Sequence, residues 1–168
     1  MHRLVSCAGA IGFALGWLVA IGSGSAHERI WAEYRDGEHG CGLNFPQGLF
    51  TATPSRPGEA KRFITPQQKT FFQVLGVSNR PDWNAFDIRR KYLGAMMPGA
   101  VVYQHTTIRS LTLFGYRGDT VFHTKILLSE DLSSACILDI NYPLLSRNRY
   151  HAMANRVLLS LHVRKAFH

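Results

Sequence analysis

The chain has 168 residues, 19 basic and 11 acidic, for a formal charge of +8 at neutral pH. That length suits one domain with its own core and requires no second. The charge favours anionic partners such as phosphate-bearing lipids, cell-wall polymers or acidic proteins, and says nothing about fold.

The first 26 residues fall into the three zones that export machinery reads. Met1-His2-Arg3 is a basic start, Leu4 to Ile21 is apolar and uncharged, and Gly22-Ser23-Gly24-Ser25-Ala26 offers small residues to signal peptidase. Cleavage after Ala26 is the expectation, leaving His27 to His168 as a single globular domain of 142 residues. The competing reading is an uncleaved anchor, since an apolar stretch of about 18 residues spans a bilayer. Gly9, Gly12 and Gly16 inside it, with the small-residue tail, favour cleavage. Leu4-Val5-Ser6-Cys7 spells a lipobox, but a lipidated cysteine must follow the apolar region, and Cys7 stands near its start. Export predicts a periplasmic location and argues against nucleic acid as a partner.

Two cysteines remain, Cys41 and Cys136, in a compartment that permits disulfides. Pairing is expected, with two buried thiols as the alternative. Closing a loop of that length is worth about 4 to 5 kcal/mol in the chain-entropy model.

Along the remaining chain, strand signals dominate. Ile30 to Tyr34 reads as a strand, Arg35-Asp36-Gly37-Glu38 as a turn, and Cys41, Leu43 and Phe45 alternate inward until Pro46. Thr51 to Pro66, rich in Pro, Gly, Ser and Thr, reads as an exposed loop, and Phe71 to Val77 as a strand. Asp82 or Asn84 caps a helix whose apolar face is Phe86, Leu93 and Met97, stopped by Pro98-Gly99. Four strands follow: Val101 to Ile108, Ser110 to Tyr116, Thr120 to Leu128 and Ala135 to Tyr142. Arg117-Gly118-Asp119 matches the integrin tripeptide, yet Gly-Asp is also what a hairpin tip requires. From Arg147 to His162, Tyr150, Met153, Val157, Leu158 and Leu161 form one apolar stripe of a closing helix. Packing on a sheet is its expected role; lying on a membrane surface, helped by the arginines around it, is the disfavoured one.

Three strands, a helix, four strands and a helix predict an α+β fold, an antiparallel sheet flanked by helices. The segments Tyr34, Cys41-Gly42-Leu43-Asn44-Phe45-Pro46, Leu75-Gly76, Gly115-Tyr116 and Asn141-Tyr142-Pro143, then a last helix bearing Tyr150, resemble small exported proteins of α-proteobacteria. Their opening is in turn similar to PsbP-like domains, the fold of the extrinsic oxygen-evolving-complex protein. The resemblance implies an α/β/α sandwich that serves in assembly or binding without catalysis, so no catalytic residue is carried over. Cys41 departs from it, because an apolar residue is usual there.

Chemical motifs are sparse. His105 and His123 stand alone on strands, no His-Glu-x-x-His or Cys-x-x-Cys spacing occurs, and neither a metal nor another cofactor is expected. The Gly-Ser run at Gly22 to Ser25 lies in the leader, and a disulfide would disable a nucleophilic Cys. Glu130-Asp131 reads as a polar turn, while Asp139 is a lone acid in an apolar strand. Arg89-Arg90-Lys91 offers a possible anion-binding run, although such runs are commonly solvated helix faces. The expectation is therefore a non-catalytic periplasmic binding or accessory protein whose partner is an envelope protein or an anionic envelope component. The alternatives are an envelope enzyme using His105, His123 and Asp139, or a periplasmic inhibitor of the immunity type.

Secreted protein should begin at His27. N-terminal sequencing that finds residues 1–26 retained overturns the cleavage reading.

Overall fold

The computed structural model describes residues 30–80, 82–94 and 100–164, and of 91–94 the backbone alone. The expected leader and cleavage after Ala26 lie outside the described residues. The elements in order are strands β1 (Trp31–Arg35), β2 (Cys41–Pro46), β3 (Thr51–Ala52), β4 (Lys61–Ile64) and β5 (Phe71–Ser78), then helix α1 (Ala85–Gly94). Strands β6 (Val101–Thr106), β7 (Ser110–Arg117), β8 (Thr120–Leu128) and β9 (Ser134–Pro143) follow, then helix α2 (Arg147–Ser160) and β10 (His162–Val163). The larger sheet has the order β3-β4-β5-β9-β8-β7-β6 and the smaller one β1-β2-β10. Strand neighbours in both are antiparallel.

The architecture is α+β, as the element order predicted. On one face of the large sheet, Val121, Cys136, Leu138, Ile140 and Tyr142 pack with α2 and the small sheet around Leu43 and Phe72. On the other, Leu111, Leu113, Phe122 and Ile126 pack beneath α1 through Ala85. Burial on both faces is why neither β8 nor β9 shows a clean apolar–polar alternation.

Helix α1 begins where one of the two predicted caps stands. Asn84 Oδ1 accepts from the backbone N–H groups of Phe86 (2.9 Å) and Asp87 (3.3 Å), and Asp87 Oδ2 accepts from the N–H of Asn84 (3.1 Å). This reciprocal box satisfies N-terminal donors that would otherwise lack partners; Asp82 instead pairs with Arg80. Phe86 is a correction, because it points to solvent while Ala85 is buried and Ile88 half-buried. The side chain of Leu93, and Met97, Pro98 and Gly99, lie outside the described residues.

Two further expectations are corrected. The stretch read as a loop, Thr51 to Pro66, holds β3 and β4, and Lys61–Ile64 pairs with Phe71–Val74. Long-range aromatic packing overrides the turn-rich composition there: Phe63 stacks on Phe72 at 4.5 Å with 11° between the rings. The closing helix ends at Ser160, since Leu161 is extended (ψ 124°), and His162 and Val163 pair instead with Gly42 and Cys41. The first strands thus belong to a second sheet that the element count did not separate.

Cys41 and Cys136 are bonded, with Cα atoms 5.6 Å apart. Gly76, opposite Cys136, leaves room for this junction, because a Cβ there would overlap the Asp36 carboxylate of the β1–β2 turn. Ser160 Oγ accepts from the N–H of Asn44 (2.9 Å), and Lys125 Nζ donates to the carbonyl of Leu158 (2.8 Å), so both sheets hold the end of α2. The cation at Leu158 satisfies a C-terminal helix carbonyl, a favourable place for positive charge.

Leu158, buried in this core, should lose about 2 to 5 kcal/mol of folding free energy when changed to Ala. A denaturant melt of Leu158→Ala matching wild type would show that α2 does not close the core.

Candidate functional site

Helix α2 covers β8 and β9 but stops short of the sheet edge, so part of this face stays open. Register defines that part: Tyr103 lies opposite Phe114, Phe114 opposite His123, and His123 opposite Ile140. Directly paired residues in antiparallel strands share a face. The row therefore runs from exposed Tyr103 (53%) on edge strand β6, through half-buried Phe114, to buried His123 (3%). Phe114 meets the rings of Tyr116 at 5.5 Å, His123 at 4.8 Å and His151 of α2 at 5.9 Å. The result is an aromatic shelf with a helix as its wall.

Beneath the wall runs a chain of polar side chains. Asn155 Nδ2 can only donate, so its contact with His151 Nε2 (3.3 Å) makes that nitrogen an acceptor and puts the ring proton on Nδ1. His151 Nδ1 then donates to Tyr142 Oη (3.1 Å), and the Tyr142 hydroxyl donates to His123 Nε2 (2.9 Å). Direction is thereby fixed from the exposed amide inward. Burial first, and then the positive charge that neighbouring His151 and Arg147 can bring, depresses the His123 pKa to about 4. Burial raises that of Tyr142 to about 12. At neutral pH both are uncharged, so the chain is a satisfied polar network rather than a poised acid or base.

The three acid/base candidates do not converge. His105 and His123 share a face, since His105 pairs with Thr112 and Thr112 with Lys125, but they sit on β6 and β8 with β7 between them. Asp139 is on the opposite face, where it accepts from Thr124 Oγ1 at 2.6 Å and Gln73 Nε2 at 3.5 Å. A joint acid/base site of these three is corrected by the strand pleat, which sends His123 and Asp139 to opposite sides. The arginine run lies on α1, behind the sheet: Arg89 Nε reaches Gln104 Oε1 (3.4 Å), Arg90 pairs with Asp87 (2.6 Å), and the side chain of Lys91 lies outside the described residues. Arg117-Gly118-Asp119 forms the β7–β8 tip, with Gly118 at φ +54°, the conformation such a turn demands. Among the described residues, no group of three or more His, Cys, Asp or Glu is placed to hold a metal ion.

His151 and Phe114 were not singled out by motif, and Tyr142 only as part of the Asn141-Tyr142-Pro143 resemblance. The signal for Phe114 was present, because a hairpin turning at Gly118-Asp119 pairs Arg117 with Thr120 and so Phe114 with His123. His151 lies next to Tyr150 on the predicted stripe, where its meeting with β9 depends on how α2 is rotated.

No protein-family model and no curated protein matches this chain. Solved structures do. The solution structure of PsbP (CyanoP) from Synechocystis sp. PCC 6803 superposes with a TM-score of 0.61 at 14% identity, over 86% of this chain and 99% of that one. The Ran-binding protein Mog1p of Saccharomyces cerevisiae gives a TM-score of 0.55 at 11% identity, over 80% and 96%. A Bacteroides thetaiotaomicron protein gives 0.55 at 12%, over 79% of this chain and 48% of its own. The fold is thus PsbP-like, as the sequence resemblance implied.

Acidification should destabilise the protein through His123. Its folded pKa lies below the unfolded value near 6.5, so only the unfolded chain takes up that proton between pH 6.5 and about 4. Wild type should lose about 2 kcal/mol more over that interval than His123→Gln, measured by denaturant melts at each pH. Parallel losses would show that His123 titrates alike in both states.

Proposed function

We propose that this protein is an exported, non-catalytic accessory protein of the periplasm that holds an envelope partner on the shelf beside α2. The observation that carries the reading is the open aromatic row Tyr103–Phe114–His123, whose inner end is held rigid by the Tyr142–His151–Asn155 chain. Exposed aromatic side chains on a rigid sheet suit recognition, because they bury large area on binding and lose little rotamer freedom. The separation of His105, His123 and Asp139 favours binding over acid/base catalysis. A disulfide between the two sheets is compatible with an oxidising compartment. Fold neighbours that include a PsbP and a Ran-binding protein add support for a binding role.

A photo-crosslinking residue in place of Tyr103, in the full exported chain, should yield light-dependent adducts in the envelope fraction. The same residue at Glu130, an exposed turn position beyond β8, should not. Phe114→Ala should reduce the Tyr103 adduct about tenfold or more, as loss of a central aromatic contact does. Equal adducts at both positions, or adducts at Glu130 alone, would reject the shelf.

A further inference from the structure

The apolar stripe of α2 is used up in the core, with Tyr150, Met153, Ala154, Val157 and Leu158 buried. It therefore does not meet a membrane, and the opposite face of the helix is the one that looks outward. There Arg149, Ala152, Arg156 and Leu159 follow one another at helical spacing, all exposed. Leu145, in the short turn before the helix, is fully exposed (101%), and Leu159 nearly so (81%). Two large apolar side chains thus stand in water at the ends of one line, with arginines between and beside them.

The charge on this face is unbalanced. Its charged side chains are Arg149 and Arg156, and no acidic residue occurs anywhere on α2. Neighbouring elements carry Glu33 on β1 and Asp119 at the β7–β8 tip. Glu33 is engaged by Arg35 (2.8 Å) and faces His162 (3.7 Å), while Asp119 is at the hairpin tip that accepts the N–H of Leu144. Two arginines lie against rings of the fold: the Arg156 guanidinium is 4.0 Å from the centre of Trp31, and that of Arg149 is 5.3 Å from Tyr150. Such stacking holds the charges beside the helix rather than letting them sweep freely.

We propose that the outer face of α2 docks on an anionic lipid surface, with Leu145 and Leu159 entering the headgroup layer and Arg149 and Arg156 meeting lipid phosphates. Shape selects a bilayer over a protein partner. Protein hot spots gather near the centre of a contact, whereas these leucines stand roughly 20 Å apart, at 1.5 Å per residue along the helix. Only Ala152 offers apolar surface between them on the line. A flat anionic layer reaches both leucines with Arg149 and Arg156 at once, and interfacial helices of mixed Leu and Arg content bind in that way. The shelf lies on the sheet beside the helix rather than on this face, so the proposal stands apart from the binding role assigned there.

Co-sedimentation of the secreted protein with vesicles tests it, using phosphatidylcholine with about 30% phosphatidylglycerol against phosphatidylcholine alone. The expected result is binding to the anionic vesicles that weakens as salt rises. Arg149→Ala with Arg156→Ala should weaken it about 25-fold, or about fivefold per arginine. Arg56→Ala with Lys69→Ala, which removes the same charge from exposed loops, should change it by less than about twofold. Should the arginine pair lower the melting temperature, Leu145→Ser alone decides the matter, because a fully exposed side chain outside the helix carries no core packing. That change should weaken binding several-fold. Absence of binding to the anionic vesicles, equal losses from the loop and helix pairs, or indifference to Leu145→Ser would each overturn the proposal.

Discussion

The bond between Cys41 and Cys136 joins the central strand of the small sheet to the central strand of the large one. Helix α2 leaves the end of β9 and must return to β10, which pairs with β2. Since β2 is fixed to β9 by the disulfide, both ends of the helix are tied to one covalent crossing point. The helix consequently lies over β8 and β9 and leaves β6 and much of β7 uncovered. The open shelf is a consequence of that geometry: the clamp determines which aromatic side chains are roofed and which face water. In the unfolded chain the same bond closes a loop of 95 residues' separation, so it also removes conformational entropy that folding would otherwise have to offset.

A clamp at two ends fixes where a helix lies more firmly than how it is rotated about its own axis. Tyr150, Met153, Val157 and Leu158 favour one rotation through burial, but apolar stripes tolerate some slip. The Tyr142 hydroxyl narrows the choice, since it must both accept from His151 and donate to His123 to be satisfied away from water. Rotation by one residue, about 100°, would carry His151 away from the Tyr142 hydroxyl and leave that group only its bond to His123. Lys125 adds a second directional contact at the other end of the helix. Polar groups beneath α2 therefore act in register selection, and the neutrality of His123 and Tyr142 spares the inner pair the cost of burying charge.

The same physics explains what the sequence disclosed. Alternation and turn chemistry are local, so β5, the four strands from β6 to β9, and both helices were legible within a few residues. The cysteine pair was legible because only Cys41 and Cys136 lie beyond the stretch read as a leader. The pairing of β4 with β5 was not, because Lys61–Ile64 is too short to show a period and is bounded by Gly58 and Pro66; what makes it a strand is Phe72, reached through a turn of six residues. Strand β10 was hidden for a related reason. His162 continues the helical pattern of its predecessors and is diverted only by β2, more than a hundred residues upstream. Of the site, His123 was visible as an isolated histidine in an apolar strand. Its partners Tyr142 and His151 come from β9 and α2, and nothing within either segment signals that they meet.

Helix α2 also shows how one element can serve two surfaces. A helix with one apolar stripe has one partner, and here the sheet takes it. An outer face made only of short polar groups would then be inert, as on many surface helices. Instead it carries arginines without a single acid, and leucines at 101% and 81% exposure that no intramolecular contact rewards. Scattered exposed leucines are ordinary on protein surfaces. These differ in that Leu159 lies in line with Arg149 and Arg156 on a helix whose rotation is held from below, with Leu145 in the turn that leads into it. Because the shelf and this outer face share the helix as their boundary, anything that displaced α2 would disturb both together. The covalent crossing point beneath them is what keeps the two surfaces in a constant relation.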